Sequence, residues 1–237
     1  MEASKLPRRA RIAFAGYPHH IVQRGHRRNA VFFSDFDRLD YLTTLRECRS
    51  ELSISIYAYC LMTNHVHLVV NPGDDPRNLS LLMKRLAGRH SRRLGRLHGW
   101  SGSLWEGRFH WSPIDTDRYL LACGRYVDQN PLRARLVSKP DDFEWSSSRA
   151  RVGLVECHWL DVDPALADLA STNEQRFEVY RRLVGTPVTE QELELIRRAL
   201  QRNQLTGSEC FTESISNEFG IEVSTKRQGR PRKSNHE

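Results

Sequence analysis

The chain has 237 residues with 39% hydrophobic and 27% charged side chains, enough for a core of ordinary size. Lys and Arg number 36 against 29 Asp and Glu, and the net charge of +7 suits a polyanionic partner or an anionic surface. No apolar run approaches a membrane span, no apolar signal core opens the chain, and the five cysteines form no CxxC pair. A spanning helix, a secretory leader and a zinc ribbon are therefore not expected, and reduced thiols in a cytoplasm are.

Arg8, Arg9 and Arg11 form a basic arm. Residues 17–23 read as a first strand, running into a basic loop with Arg24, Arg27 and Arg28. Ser34 reads as the N-cap of a helix with Asp35 and Asp37 in its first turn and an apolar stripe of Leu39, Leu42, Leu45 and Cys48. Residues 53–62 predict a second strand and 65–70 a third, with Thr63 and Asn64 at the hairpin tip and Asn71-Pro72-Gly73 closing it.

The third strand carries the most specific local signal, His65-Val66-His67. Strand side chains alternate faces, so both imidazoles point one way while Val66 points into the core. Two imidazoles on one rigid strand can hold a divalent ion.

Residues 78–97 predict a helix with Leu79, Leu82 and Leu86 on one face and Lys84, Arg85, Arg89, Arg92, Arg93 and Arg96 on the other. That span holds no acid, which points to nucleic-acid contact. A loop with Trp100 and Trp105 follows, then a fourth strand at 109–114. Asp115 or Thr116 caps a helix that runs to Asn130 and stops at Pro131.

Strand, helix, strand, strand, helix, strand is the double split βαβ order. The expected fold is α+β, a ferredoxin-like antiparallel sheet with helices on one face, and residues 141–151 close that domain. From 153 the pattern is helical only, with capping-box patterns at 172–175 and 189–192, an apolar stripe of Leu193, Ile196 and Leu200, and a further helix at 208–219. The expected division is a catalytic domain at 1–152, a helical appendage at 153–222 and a disordered basic tail at 223–237. Arg230 and Arg232 lie in a Gly-Arg-Pro context, either the core of a minor-groove AT-hook or a generic basic tail.

Tyr126 and Asn130 stand one helical turn apart on one face, and Tyr119 lies seven residues earlier on nearly the same face. A phenol is a weak nucleophile at neutral pH. With a divalent cation on His65 and His67 polarising the phosphoryl oxygens, it can attack a phosphodiester. Asn130 offers a third, oxygen ligand, and imidazole with amide oxygen suits Mg²⁺ or Mn²⁺.

Several further segments, taken in order, carry a resemblance. They are Tyr59 to His67, Trp105-Glu106-Gly107-Arg108-Phe109, Asp117-Arg118-Tyr119-Leu120, Arg125-Tyr126-Val127, Asn130-Pro131-Leu132-Arg133-Ala134 and Trp145-Ser146-Ser147. The chain resembles the single-tyrosine HUH transposases, and among them the REP-associated tyrosine transposases, over residues 8–151.

The resemblance implies metal-dependent cleavage and rejoining of single-stranded DNA with hairpin ends through a 5′-phosphotyrosine. It implies action as a monomer or homodimer, in a bacterial cytoplasm at the nucleoid and not at a membrane. By position it puts His65 and His67 on the metal ligands, Asn130 on the polar residue assisting the metal and Tyr126 on the nucleophile, with Tyr119 as the alternative. Arg108 joins the arginines named above as a candidate DNA contact.

The competing readings are a domesticated DNA-binding protein without cleavage, a rolling-circle replication initiator and an RNA-binding sheet. The Asn-Pro and Trp-Ser-Ser segments favour the transposase over the initiator. The sheet of an RNA-recognition domain carries stacking aromatics that this chain does not show.

Overall fold

The computed structural model describes residues 13–220. The arm with Arg8, Arg9 and Arg11 and the tail with Arg230 and Arg232 lie outside the described residues.

The elements run β1 (His19–Arg24), α1 (Asp35–Glu51), β2 (Ser55–Met62), β3 (His65–Asn71), α2 (Arg77–His98), β4 (His110–Pro113) and α3 (Thr116–Asp128). Shorter and longer helices follow as α4 (Asn130–Arg133), α5 (Ser148–Arg151), α6 (Pro164–Ala167), α7 (Asn173–Gly185), α8 (Glu190–Arg202) and α9 (Glu209–Phe219). The strands form one antiparallel sheet in the order β2-β3-β1-β4, the split βαβ topology expected from the sequence. Beyond β2, the Trp-Ser-Ser segment covers the open edge. Leu61 N donates to Trp145 O at 2.8 Å and Ser147 N to Tyr59 O at 2.9 Å.

One face of the sheet presents Ile21, Leu61, Val66, Leu68 and Val70 and is covered by α1 and α2. Ser34 caps α1 in a reciprocal box with Asp37. The apolar face of α1 is Tyr41, Leu45 and Cys48, whereas Leu39, expected in that stripe, is 53% exposed.

Helices cover the second face as well, where the sequence pointed to one. Ala58, Cys60, Met62 and Val69 are apolar on that side too, and a sheet with two apolar faces must bury both. α3 covers it with Leu120, Cys123 and Val127, and α8 completes the layer. Leu193, Ile196 and Leu200, which read as the core of a separate appendage, share this cluster with Ile114, Tyr126 and Val127.

The helical segment is also joined to the sheet through its backbone. Asp115 N donates to Thr206 O at 2.9 Å and Thr206 N to Pro113 O at 2.8 Å. Asp115 occupies the N-cap of α3, yet its carboxylate accepts from the Ser208 hydroxyl at 3.2 Å and caps nothing in α3.

A buried polar network fastens α3 to α5, α6 and α7. Asp128 accepts from Ser147 Oγ at 2.6 Å and Tyr180 Oη at 2.7 Å. Arg151 reaches Tyr180 Oη at 2.7 Å and Asp163 Oδ2 at 2.5 Å. A Cβ on Gly124 would stand 2.5 Å from the Arg151 guanidinium and would force that side chain to shift. Gln129 donates to Val184 O and Thr186 O, clamping the end of α7 to the end of α3.

Candidate active site

The strand register decides which side chains meet. Val22 stands opposite His67, Arg24 opposite His65, and Val22 opposite His110 across the other edge of β1. Directly opposed residues share a face, so His20, Val22 and Arg24 line up beside His65, His67 and His110 on the side that α3 covers.

Between that face and α3 lies a cleft of about 440 Å³. The sheet gives it Arg24, His65, His67 and His110, the segment before β4 gives Glu106, and Tyr126, Asn130, Arg197 and Gln201 close the far side.

Tyr126 belongs to the same chain as the histidines and packs directly on them. Its ring centroid lies 5.8 Å from His67 and 5.5 Å from His20, both edge to face. The guanidinium of Arg133 sits over the Tyr126 ring at 4.1 Å and donates to Tyr126 O at 2.6 Å. The same guanidinium also engages the Tyr126 phenol, by charge and by a side-chain hydrogen bond. Tyr119, half-buried, packs against the apolar cluster beneath α3.

The imidazoles are arranged as ligands. His65 Nδ1 lies 2.6 Å from Asn64 Oδ1, and Asn64 Nδ2 in turn donates to Arg28 O at 3.0 Å. The Asn64 oxygen therefore faces His65, which donates from Nδ1 and keeps its Nε2 lone pair. His67 Nδ1 lies 2.9 Å from His20 Nε2. The two roles depend on the tautomer, and His67 Nε2 is left unprotonated in the one where His20 accepts.

Burial, with the Arg24 charge, lowers His65 to about 4. Burial, then the neighbouring His65, His20, Arg133 and Arg24, holds His67 well below the ordinary histidine value. Both rings are neutral at neutral pH, the state a metal requires. Asn130 Nδ2 donates to Tyr126 O at 3.0 Å and Val127 O at 3.3 Å, which leaves Oδ1 without a partner among the described residues. Among the described residues no group of three or more His, Cys, Asp and Glu is disposed to hold a metal. A cation here would rest on two imidazoles and one amide oxygen.

The structure thus brings His65, His67, Tyr126, Asn130 and Arg24 together and leaves other candidates elsewhere. Arg27 and Arg28 are exposed on a turn after β1, and Arg108 is exposed between Glu106 and His110. The cations of α2 lie on the layer behind the sheet, and three of them are used there. Arg85 pairs with Glu51 at 2.5 Å, Arg89 with Glu47 at 2.6 Å, and Arg93 with Asp37 and Asp40. Lys84 and Arg92 remain exposed without an ion pair among the described residues. The sequence showed six cations on one helix, and the acids of α1 that neutralise three of them become visible only when the helices pack.

His20, Glu106, His110, Arg133, Arg197 and Gln201 were missed. His20 has the same parity as Arg24 on β1, but only the register with β3 places it under His67.

Residues 14–130 match the family model described as transposase, IS200-like. The fold is similar to that of a REP-associated tyrosine transposase bound to a REP hairpin, at TM-score 0.54 and 15% identity over 67% of this chain and 90% of that one. A putative transposase from Deinococcus radiodurans is 19% identical over 56% of this chain and 92% of that one, at TM-score 0.34. No match was found among curated proteins.

Proposed function

Since residues 14–130 belong to the IS200-like transposase family, we propose that the chain cleaves and rejoins single-stranded DNA through Tyr126, with a divalent cation held by His65, His67 and Asn130. The carrying observation is the packing of Tyr126 on His67, 5.8 Å between centroids, within one chain and one cleft. The solved neighbour that binds a REP hairpin supports DNA with hairpin ends as the substrate.

In this reading Tyr126 Oη attacks the scissile phosphorus and gives up its proton to solvent. The bond from phosphorus to the 3′ oxygen breaks, leaving a free 3′-hydroxyl and a 5′-phosphotyrosine. The 3′-hydroxyl of another end reverses the step, so the strand is rejoined without ATP. When bound, Mg²⁺ or Mn²⁺ neutralises charge on the phosphoryl oxygens. Arg133 holds a positive charge against the ring that carries the developing or departing phenolate. Arg24 and Arg197, on opposite walls of the cleft, are placed to clamp phosphates on either side of the reacting one. Asn64 would keep the His65 ring in the tautomer a metal needs, and His20 would do so for His67 by accepting from its Nδ1.

No helix among the described residues is long and apolar enough to cross a membrane. The set of His65, His67, Tyr126 and Asn130 lining one cleft favours cleavage over the non-catalytic reading, because binding alone does not require it. Incubation with hairpin oligonucleotides and Mn²⁺ should give a covalent protein–DNA adduct that survives denaturation and is absent with chelator. An adduct that forms equally well with chelator, or in a His65→Ala/His67→Ala variant, would remove the metal from this account.

A further inference from the structure

A second cavity, of about 480 Å³, is lined by the segment after β1, the C-terminal half of α2 and the loop that follows it. Its walls include His26, Asn29, Phe33, Leu94, Trp100 and Ser103, and no acidic side chain lines it. Phe33 and Trp100 are 48% and 49% exposed. Their rings meet edge to face at 5.0 Å, and Trp100 stacks on His98 at 4.4 Å with 19° between planes. Scattered exposed apolar residues are ordinary, but three rings ordered into one shelf beside a cavity are not.

The turn between the lining residues His26 and Asn29 is basic and held in place. Arg27 and Arg28 have φ of 51° and 63°, the left-handed region that side chains rarely adopt. That turn is fixed from both ends. Arg28 N donates to Gly25 O and Asn29 N to His26 O, and Asn64 beside His65 holds Arg28 O. A Cβ on Gly25 would fall 2.2 Å from Asn29 O, so the turn closes only over glycine. Arg27 and Arg28 are exposed, as are Arg92 and Arg96 on the stretch of α2 beside the cavity, and none of the four has an ion pair among the described residues.

The position relative to the catalytic cleft is set by a short ladder. Arg24 O accepts from Glu106 N at 2.8 Å, and His26 N donates to Leu104 O at 2.9 Å. Arg24 and Glu106 line the catalytic cleft, whereas His26 and Leu104 line the second cavity. Two residues of extended chain, about 7 Å, separate the two.

Aromatic faces, hydroxyl and amide groups, with exposed cations on the adjoining segments, are the chemistry that holds an unpaired base of a single strand. We propose that this cavity binds an unpaired nucleobase of the DNA strand near the cleaved link, stacked on Trp100 and Phe33. This rests on the reading of the neighbouring cleft as a single-strand processing site.

The test uses the full chain and fluorescein-labelled hairpin oligonucleotides with single-stranded tails, intact or with one abasic position moved along the tail. Trp100→Ala and Phe33→Ala should each weaken binding of the intact tail about 5- to 100-fold, and Trp100→Phe should restore most of it. On the one oligonucleotide lacking the bound base, wild type should lose a similar factor and the alanine variants almost nothing further. Both side chains are half exposed, so an unchanged thermal midpoint should confirm folding.

Alanine variants that bind intact tails like wild type would overturn the proposal. So would losses that no abasic position shares, or a wild type that binds no tailed DNA. Adduct formation at saturating DNA judges the cleft separately. A wild type that shows the abasic coupling but forms no adduct would sink cleavage and leave the base site standing.

Discussion

Replacing Arg151 by Met would expose how firmly the helix bearing Tyr126 is held. The Arg151 side chain is 4% exposed and lies between Asp128 at 3.4 Å and Asp163 at 2.5 Å, carboxylates that are 0% and 1% exposed. Its Nη1 also donates to Tyr180 Oη, which in turn donates to Asp128. Arg151→Met leaves two buried acids without their cation, a change that costs about 3–5 kcal/mol. For a chain of this length that is a fall of about 6–20 °C in Tm. Urea unfolding followed by far-UV circular dichroism measures it. The double variant Arg151→Met/Asp128→Asn removes one of the stranded charges and should recover at least about 1 kcal/mol. A single-variant loss under about 1 kcal/mol, or a double variant no more stable than the single, would refute the reasoning that this network anchors α3.

Two other predictions concern acid stability and the chain that supplies each half of the site. His19 donates from Nδ1 to Tyr17 O at 2.8 Å and accepts at Nε2 from Phe14 N at 3.3 Å, and burial lowers it to about 3 from the ordinary 6.5. Its folded value is depressed, so the unfolded chain takes up the proton first. The contribution is complete above 6.5 and is lost as pH falls toward 3, with a slope of up to about 1.4 kcal/mol per pH unit. Urea midpoints between about pH 7 and 4 should show that slope reduced by one proton in His19→Asn, and an unchanged slope would contradict it. Mixing Tyr126→Phe protein with His65→Ala/His67→Ala protein should restore no cleavage, because each chain supplies both halves of its own site. Restored cleavage would mean that helices are exchanged between two chains.

The sequence revealed what depends on local periodicity. The His65/His67 pair, the Ser34 cap, the hairpin at Thr63-Asn64 and the Tyr126–Asn130 spacing all follow from neighbours a few residues apart. What depends on register or packing was not visible. His20 reaches His67 only because Val22 pairs with His67 across the sheet. Leu39 fits an apolar stripe by spacing, but the buried face of α1 runs through Tyr41, Leu45 and Cys48 and leaves Leu39 exposed. The arginines of α2 looked uniformly unpaired until Glu47, Glu51, Asp37 and Asp40 came beside Arg85, Arg89 and Arg93. The helices after residue 153 looked like a unit with its own core. The sequence pattern of Leu193, Ile196 and Leu200 gives a buried face without saying what it is buried against, and Arg197 enters the catalytic cleft from that same helix.

The account depends most on Tyr126 being the nucleophile, and the modified residue can be identified directly. A labelled hairpin oligonucleotide is incubated with the protein and Mn²⁺, the adduct is digested, and the peptide bearing the nucleotide is sequenced by mass spectrometry. The label should sit on Tyr126, and Tyr126→Phe should form no adduct while binding DNA like wild type. A label on Tyr119, or an adduct that persists in Tyr126→Phe, would contradict it.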